Sequence, residues 1–166
     1  MKTKQLSFDA LLLAVSLIVF IIESYIPPLA SIPGIKLGLA NTVTLFAIYT
    51  LSAKDAFLIL LLRIIISCMF GGGLSAFIYS FSGGIFCFLC IYFAKKFIDS
   101  THMHYTGIIG AVAHNIGQIC AAVFVTKMTG IIFYVPVLIV SGMITGFFTG
   151  TVCKYVSSVL KKTNII

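Results

Sequence analysis

The chain has 166 residues, of which 60% are hydrophobic and only 9% charged, and its mean hydropathy is +1.17. Such a composition excludes a soluble domain and indicates a polytopic membrane protein; the length allows about six spans of ~20 residues in one bundle, with no separate soluble domain. The formal net charge of +7 would suggest nucleic acid in a soluble protein, but here the lysines gather between apolar runs, where they set orientation.

Lys2 and Lys4 precede an apolar run that is too long for a signal peptide and lacks a small-residue cleavage site, so residues 8–26 read as a retained first span. Ala10 and Ala14 form a small-xxx-small pair on it, and Glu23 lies one turn from its outer end. Residues 27–41, PPLASIPGIKLGLAN, interrupt the hydrocarbon-like text. Pro27, Pro28 and Pro33 remove backbone donors while Gly34 and Gly38 admit unusual conformations, so no helix runs through. Irregular backbone between two apolar spans is either an external loop or the lining of a site.

Span two is predicted over 37–51, with Lys36 and Asn41 near its outer end. Span three, 56–70, carries Arg63 near its middle, where a charge costs several kcal/mol unless paired or hydrated and so faces the bundle interior. Gly71, Gly72 and Gly73 are expected to break the helix before span four, 74–94, whose outer half carries Tyr79, Ser80, Ser82, Gly83 and Gly84 as a polar, close-packing face. The hydrophilic connection KKFIDSTHMHY covers 95–105, and its His102 and His104, without a third ligand, read as a solvated loop. Span five, 107–126, contains AHNIGQ; His114 and Gln118 are four apart and share a helix face, with Asn115 adjacent. Lys127 to Gly130 turn the chain into span six, 131–160, where Gly142, Gly146 and Gly150 make a smooth groove expected to pack inside the bundle.

The predicted architecture is an all-α integral membrane bundle of six transmembrane helices. Lys2, Lys4, Lys54, Lys95, Lys96, Lys154, Lys161 and Lys162 fall on one side and only Lys36 and Lys127 on the other, which places both termini in the cytoplasm of a multi-pass cell-membrane protein.

By helical rise, Arg63 and His114 share a layer about 12 Å from the inner ends of their spans. Gln118 lies one turn farther out, and Asn41, Lys36 and Glu23 lie nearer the external surface. Together with Asn115 they form a candidate solute site, a polar and net cationic funnel opening outward. Asn115 and Gln118 are equally readable as interhelical glue.

Enzyme signatures are scarce. The four acids Asp9, Glu23, Asp55 and Asp99 include no pair close enough in sequence to hold a divalent metal on a diphosphate. No phosphate loop, nucleophile elbow or HExxH occurs. The five cysteines read as membrane-embedded hydrophobes, and no metal or other cofactor is expected.

Four blocks carry a family resemblance: IPGIKLGLANTVTLFAIY (32–49), LLRIIIS (61–67), GAVAHNIGQ (110–118) and PVLIVSGMITGFFTG (136–150). They resemble the Gx transporter family, often labelled heptaprenyl diphosphate synthase component I, over nearly the whole chain. That family is similar to the substrate-binding S components of energy-coupling-factor (ECF) transporters. The resemblance implies an ECF S-component-like bundle, an outward pocket, and partner scaffold and ATPase subunits, with Ala10 and Ala14 as the docking pair. The expected function is binding of a small anionic organic solute, such as a vitamin or a quinone or isoprenoid precursor. The alternative is a non-catalytic membrane accessory subunit of isoprenoid or quinone synthesis.

The cation count carries a topological prediction. A cysteine probe at Ser31 should react with an impermeant reagent applied to intact cells and one at Ser100 should not; external labelling at Ser100 would reverse the orientation.

Overall fold

Alternating apolar runs and glycine- or lysine-marked breaks produce an all-helical chain in the computed structural model, which describes residues 2–26 and 38–163. The helices are α1 (Lys2–Ser24), α2 (Asn41–Thr50), α3 (Ala53–Ser67), α4 (Gly73–Ala94), α5 (Met103–Thr126) and α6 (Val135–Lys162). Four stretches are long and apolar enough to cross a bilayer: α1, α4, α5 with the turn before it, and α6 with the turn before it. The other two helices are shorter. α3 has 15 residues and α2 only 10, about 15 Å of rise, or half a membrane.

The expected span two over 37–51 is therefore shortened at its outer end: helix begins at Asn41, after a turn in which Gly38 has φ +80°. That backbone is one glycine adopts and β-carbon-bearing residues resist. Ser52 caps α3, its hydroxyl accepting from the Asp55 amide at 3.2 Å, so α3 starts three residues before the expected 56. The glycine break is also narrower than expected. Residues Cys68–Gly72 continue as a π-helical turn, and only Gly73, at φ +64°, ends the run. At the next turn Lys127 itself takes the left-handed conformation that closes α5, and Pro136 sits in the first turn of α6, where its missing N–H has no helical partner to lose.

α2 packs against every other helix and buries seven of its ten residues, including Asn41, Leu45, Phe46 and Ile48. It fills the centre of the bundle. A first cluster of apolar side chains joins it to α3 and α4 through Ile59, Leu60, Ile64, Cys87 and Ile91, and a second joins Tyr79, Ile119, Ala122 and Leu138. The outer stripe of α1, with Leu11, Val15, Ile18 and Ile22, stays exposed.

The lysine-rich segments meet at one end. Gln5 donates to Asp55 at 2.9 Å, Lys95 donates to the carbonyl of Ile48, and the Tyr49 hydroxyl donates to the carbonyl of Ile98 at 2.8 Å. The start of α1, the α2–α3 turn and the α4–α5 connection thus lie together.

Without a hydrophobic drive between helices in lipid, contact depends on close approach and interhelical hydrogen bonds. α5 and α6 achieve this as the glycine spacing suggests. A β-carbon on Gly146 would lie 2.6 Å from the Ile108 Cα, and one on Gly150 would lie 2.6 Å from the His104 Cα. Asn115 adds a hydrogen bond, its Nδ2 donating to the Leu138 carbonyl of α6 at 2.6 Å. On the other flank Gly117 lies against the backbone of Gly83, and the Ser82 hydroxyl donates to the Gly117 carbonyl at 2.8 Å.

Two substitutions separate these contributions. Gly146→Val should lower stability in detergent unfolding by about 1–3 kcal/mol or more through overpacking, whereas Gly130→Ala, where an added β-carbon meets nothing within 4 Å, should change little. Asn115→Ala should cost about 1 kcal/mol, the scale of one interhelical hydrogen bond. Equal stability of Gly146→Val and Gly130→Ala would disprove the glycine-mediated contact.

Candidate functional site

Polar side chains that the periodicity placed on separate helices converge near the start of α2. Glu23, Asn41, Arg63, His114 and Gln118 are all buried, none more than 5% exposed. Glu23, Arg63, His114 and Gln118 line one cavity together with Phe20, Gly38, Ile64, Ser67 and Ser80. The cavity is small, with room for about one water molecule. The described lining residues form a buried polar cluster around it.

Its charged pair is organised through the backbone. Helical rise alone put Glu23 about 10 Å or more nearer the surface than Arg63, yet both reach the same cavity because α2 begins deep in the bundle and brings its entry turn between them. Glu23 Oε1 accepts from the Gly38 amide, and Oε2 accepts from the Ala40 amide at 3.4 Å. One residue on, Asn41 Oδ1 accepts from Arg63 Nη2 at 3.2 Å. Carboxylate, turn amides, carboxamide and guanidinium follow in sequence, so the charge of Glu23 acts on Arg63 through space while both its oxygens hold the turn.

His114 sits in a slot between two glycines. A β-carbon on Gly38 would come within 2.7 Å of its Cδ2, and one on Gly83 within 2.7 Å of its Nδ1 and 2.8 Å of Gln118 Cγ. Gly84 faces α3, where an added β-carbon would come 3.1 Å from Ile64 Cδ1 and 3.2 Å from Leu60 Cδ1, with Arg63 Nη2 farther off at 3.8 Å. The small residues of α4 therefore leave space for side chains of α3 and α5.

Several polar atoms in this cluster have no protein partner, Asn41 Nδ2, Arg63 Nε and Gln118 Oε1, while His114 meets the backbone of Gly83 on its Nδ1 side. Asn115 is placed differently. Its Nδ2 is engaged by α6 and its Oδ1 is unpartnered, so it is at least partly the interhelical glue that its residue type suggests. Lys36 lies outside the described residues. Ala10 and Ala14 are both exposed on α1, away from the cavity. Among the described residues no three His, Cys, Asp or Glu side chains come together as a metal site.

Sequence reasoning missed Phe20 and Ser67 as lining residues and treated Ser80 only as a packing residue. Ser67 was legible in principle: it follows Arg63 by four and so shares its face of α3. The role of Gly38 as a donor to Glu23 had no sequence signal, because the pairing spans fifteen residues with a proline-rich segment between.

The sequence profile of the family described as heptaprenyl diphosphate synthase component I matches residues 12–156 of this chain. No curated protein and no solved structure matches it. The matched region contains every described residue of the polar cluster and all six helices in whole or part. A description as one component of a synthase agrees with the expectation that this chain is not by itself an enzyme. Its apolar helices, its buried polar centre and the family match lead to one conclusion: the chain is a multi-pass membrane protein that belongs to the heptaprenyl diphosphate synthase component I family.

Proposed function

We propose that this chain is the solute-binding membrane component, of S-component type, of an ECF-like uptake system, and that its solute is a small organic anion such as a vitamin or a quinone or isoprenoid precursor. The observation that carries this reading is Arg63, a buried cation with its Nε unpartnered in a cavity whose other walls offer the unpartnered Gln118 Oε1 and the ring of His114. Groups so placed are costly inside a membrane unless water or a ligand completes them. Arg63 would meet the anionic group. Asn41, His114 and Gln118 would orient the remainder, with Asn115 contributing its free Oδ1, and Lys36 would approach from the preceding loop. Glu23 would hold the turn that frames the site.

Scaffold and ATPase subunits are the partners this reading requires. Ala10 and Ala14 would form the docking face, since two exposed small side chains allow another helix to approach closely.

The family description favours a second reading, a non-catalytic membrane subunit that accompanies a prenyl diphosphate synthase partner. Affinity purification from the native membrane followed by native mass spectrometry separates the two. Transport predicts a co-purified small anion and an ATPase-scaffold complex; the accessory role predicts a soluble synthase subunit and no anion. Arg63→Met should insert and fold at least as well as the parent, because an intramembrane charge has been removed, and should lose the anion. Replacing Ala10 and Ala14 with leucine should keep the anion and lose the scaffold. The solute reading fails if Arg63→Met retains the anion, or if it misfolds and Glu23→Gln restores it, since Arg63 would then be a structural charge partner.

A further inference from the structure

The turn that opens α2 has the features of an anion-binding nest. Gly38 takes a positive φ of +80°, the Asn41 amide donates back to the Gly38 carbonyl at 2.9 Å, and the amides of Gly38 and Ala40 both point at a single carboxylate, that of Glu23. Successive amides in such a turn form a concavity for an anion. A ten-residue helix follows immediately, and its positive N-terminal dipole favours the same charge. A second observation points to a ligand here independently of the backbone: Arg63, 5% exposed, lines the same cavity with its Nε unpartnered.

We infer that this nest is the carboxylate subsite of the protein, that Glu23 occupies it as an internal ligand, and that an organic carboxylate binds by displacing Glu23. The inference rests on the proposed solute-binding role and specifies it: the solute carries a carboxylate, and that carboxylate replaces the Glu23 side chain on the Gly38 and Ala40 amides beside Arg63. The positions support exchange. Glu23 is the last residue but one of α1, so its displacement involves the end of that helix and not its middle. The Gly38 and Ala40 amides are both taken by Glu23, so an incoming carboxylate reaches them by taking its place. Charge balance favours the same outcome, because one carboxylate near Arg63 replaces another.

The test uses the full chain in detergent micelles and acetate as the probe, with thermal unfolding followed in sodium acetate and in sodium chloride at equal ionic strength. Glu23→Ala empties the nest, and acetate should raise its Tm saturably. In the parent the tethered Glu23 competes at an effective concentration in at least the millimolar range, so the apparent acetate affinity should be about tenfold weaker or less. Adding Arg63→Met to Glu23→Ala should abolish the acetate response. If Glu23→Ala does not purify, Glu23→Gln replaces it, and its neutral amide should yield to acetate more readily than the parent carboxylate. Equal acetate responses in parent and variant would overturn the inference. If that happens while the parent retains a co-purified anion that Arg63→Met loses, the nest assignment falls and the solute-binding reading stands. If the variant responds as expected but the parent never carries an anion, the nest stands and the solute-binding reading falls.

Discussion

A peptide backbone that starts a helix inside a membrane has several N–H groups with no helical partner and no water to take their place. At the start of α2 the amides of Asn41, Thr42 and Val43 turn back to the carbonyls of Gly38, Leu39 and Ala40, and Glu23 receives the Gly38 and Ala40 amides of the turn ahead of them. Irregular backbone at membrane depth is tolerated only where protein or a water-filled cavity surrounds it, and here the surround consists of α1, α3, α4 and α5. Much else follows from the Glu23 contact. It ties the outer end of α1 to the centre of the bundle and brings Asn41 within reach of Arg63.

The half-length α2 then determines the rest of the interior. Because it packs on every other helix, its apolar residues form the inner half of the core, and its polar first residue meets the polar layer. α4, α5 and α6 form a separate tightly packed wall built on backbone-to-backbone approach at Gly83, Gly107, Gly117, Gly146 and Gly150. Contact within this wall rests on backbone approach rather than on side-chain fit. The polar cluster lies between that wall, α1, α3 and the entry to α2.

The same arrangement reconciles two apparently competing demands on the polar residues. Asn115 and Ser82 hold helices together through bonds to carbonyls of Leu138 and Gly117. Arg63 and Gln118 keep polar atoms unpartnered at the cavity. His114 and Asn115, adjacent in sequence, face different neighbours, the cavity and the Leu138 carbonyl of α6, because successive residues on a helix point about 100° apart.

Reading along the chain suffices to make it a membrane bundle, to pick out its costly intramembrane polar groups, and to find the glycine row that forms a packing groove. Each is a local property: hydropathy over a span, a charge within it, a spacing of four. The family was legible too, because its blocks lie on contiguous segments. Packing across the bundle supplies the rest: the length of α2, the pairing of Glu23 with the amides of Gly38 and Ala40, and the meeting of Glu23 and Arg63 at one cavity. Residues 37 to 51 hold Gly38, Asn41 and three threonines among apolar side chains, and that run does not reveal that the turn before the helix is held by a carboxylate from another helix. Nor could depth counted along straight helices bring Glu23 to Arg63, because the link between them is a turn whose position depends on packing among five helices.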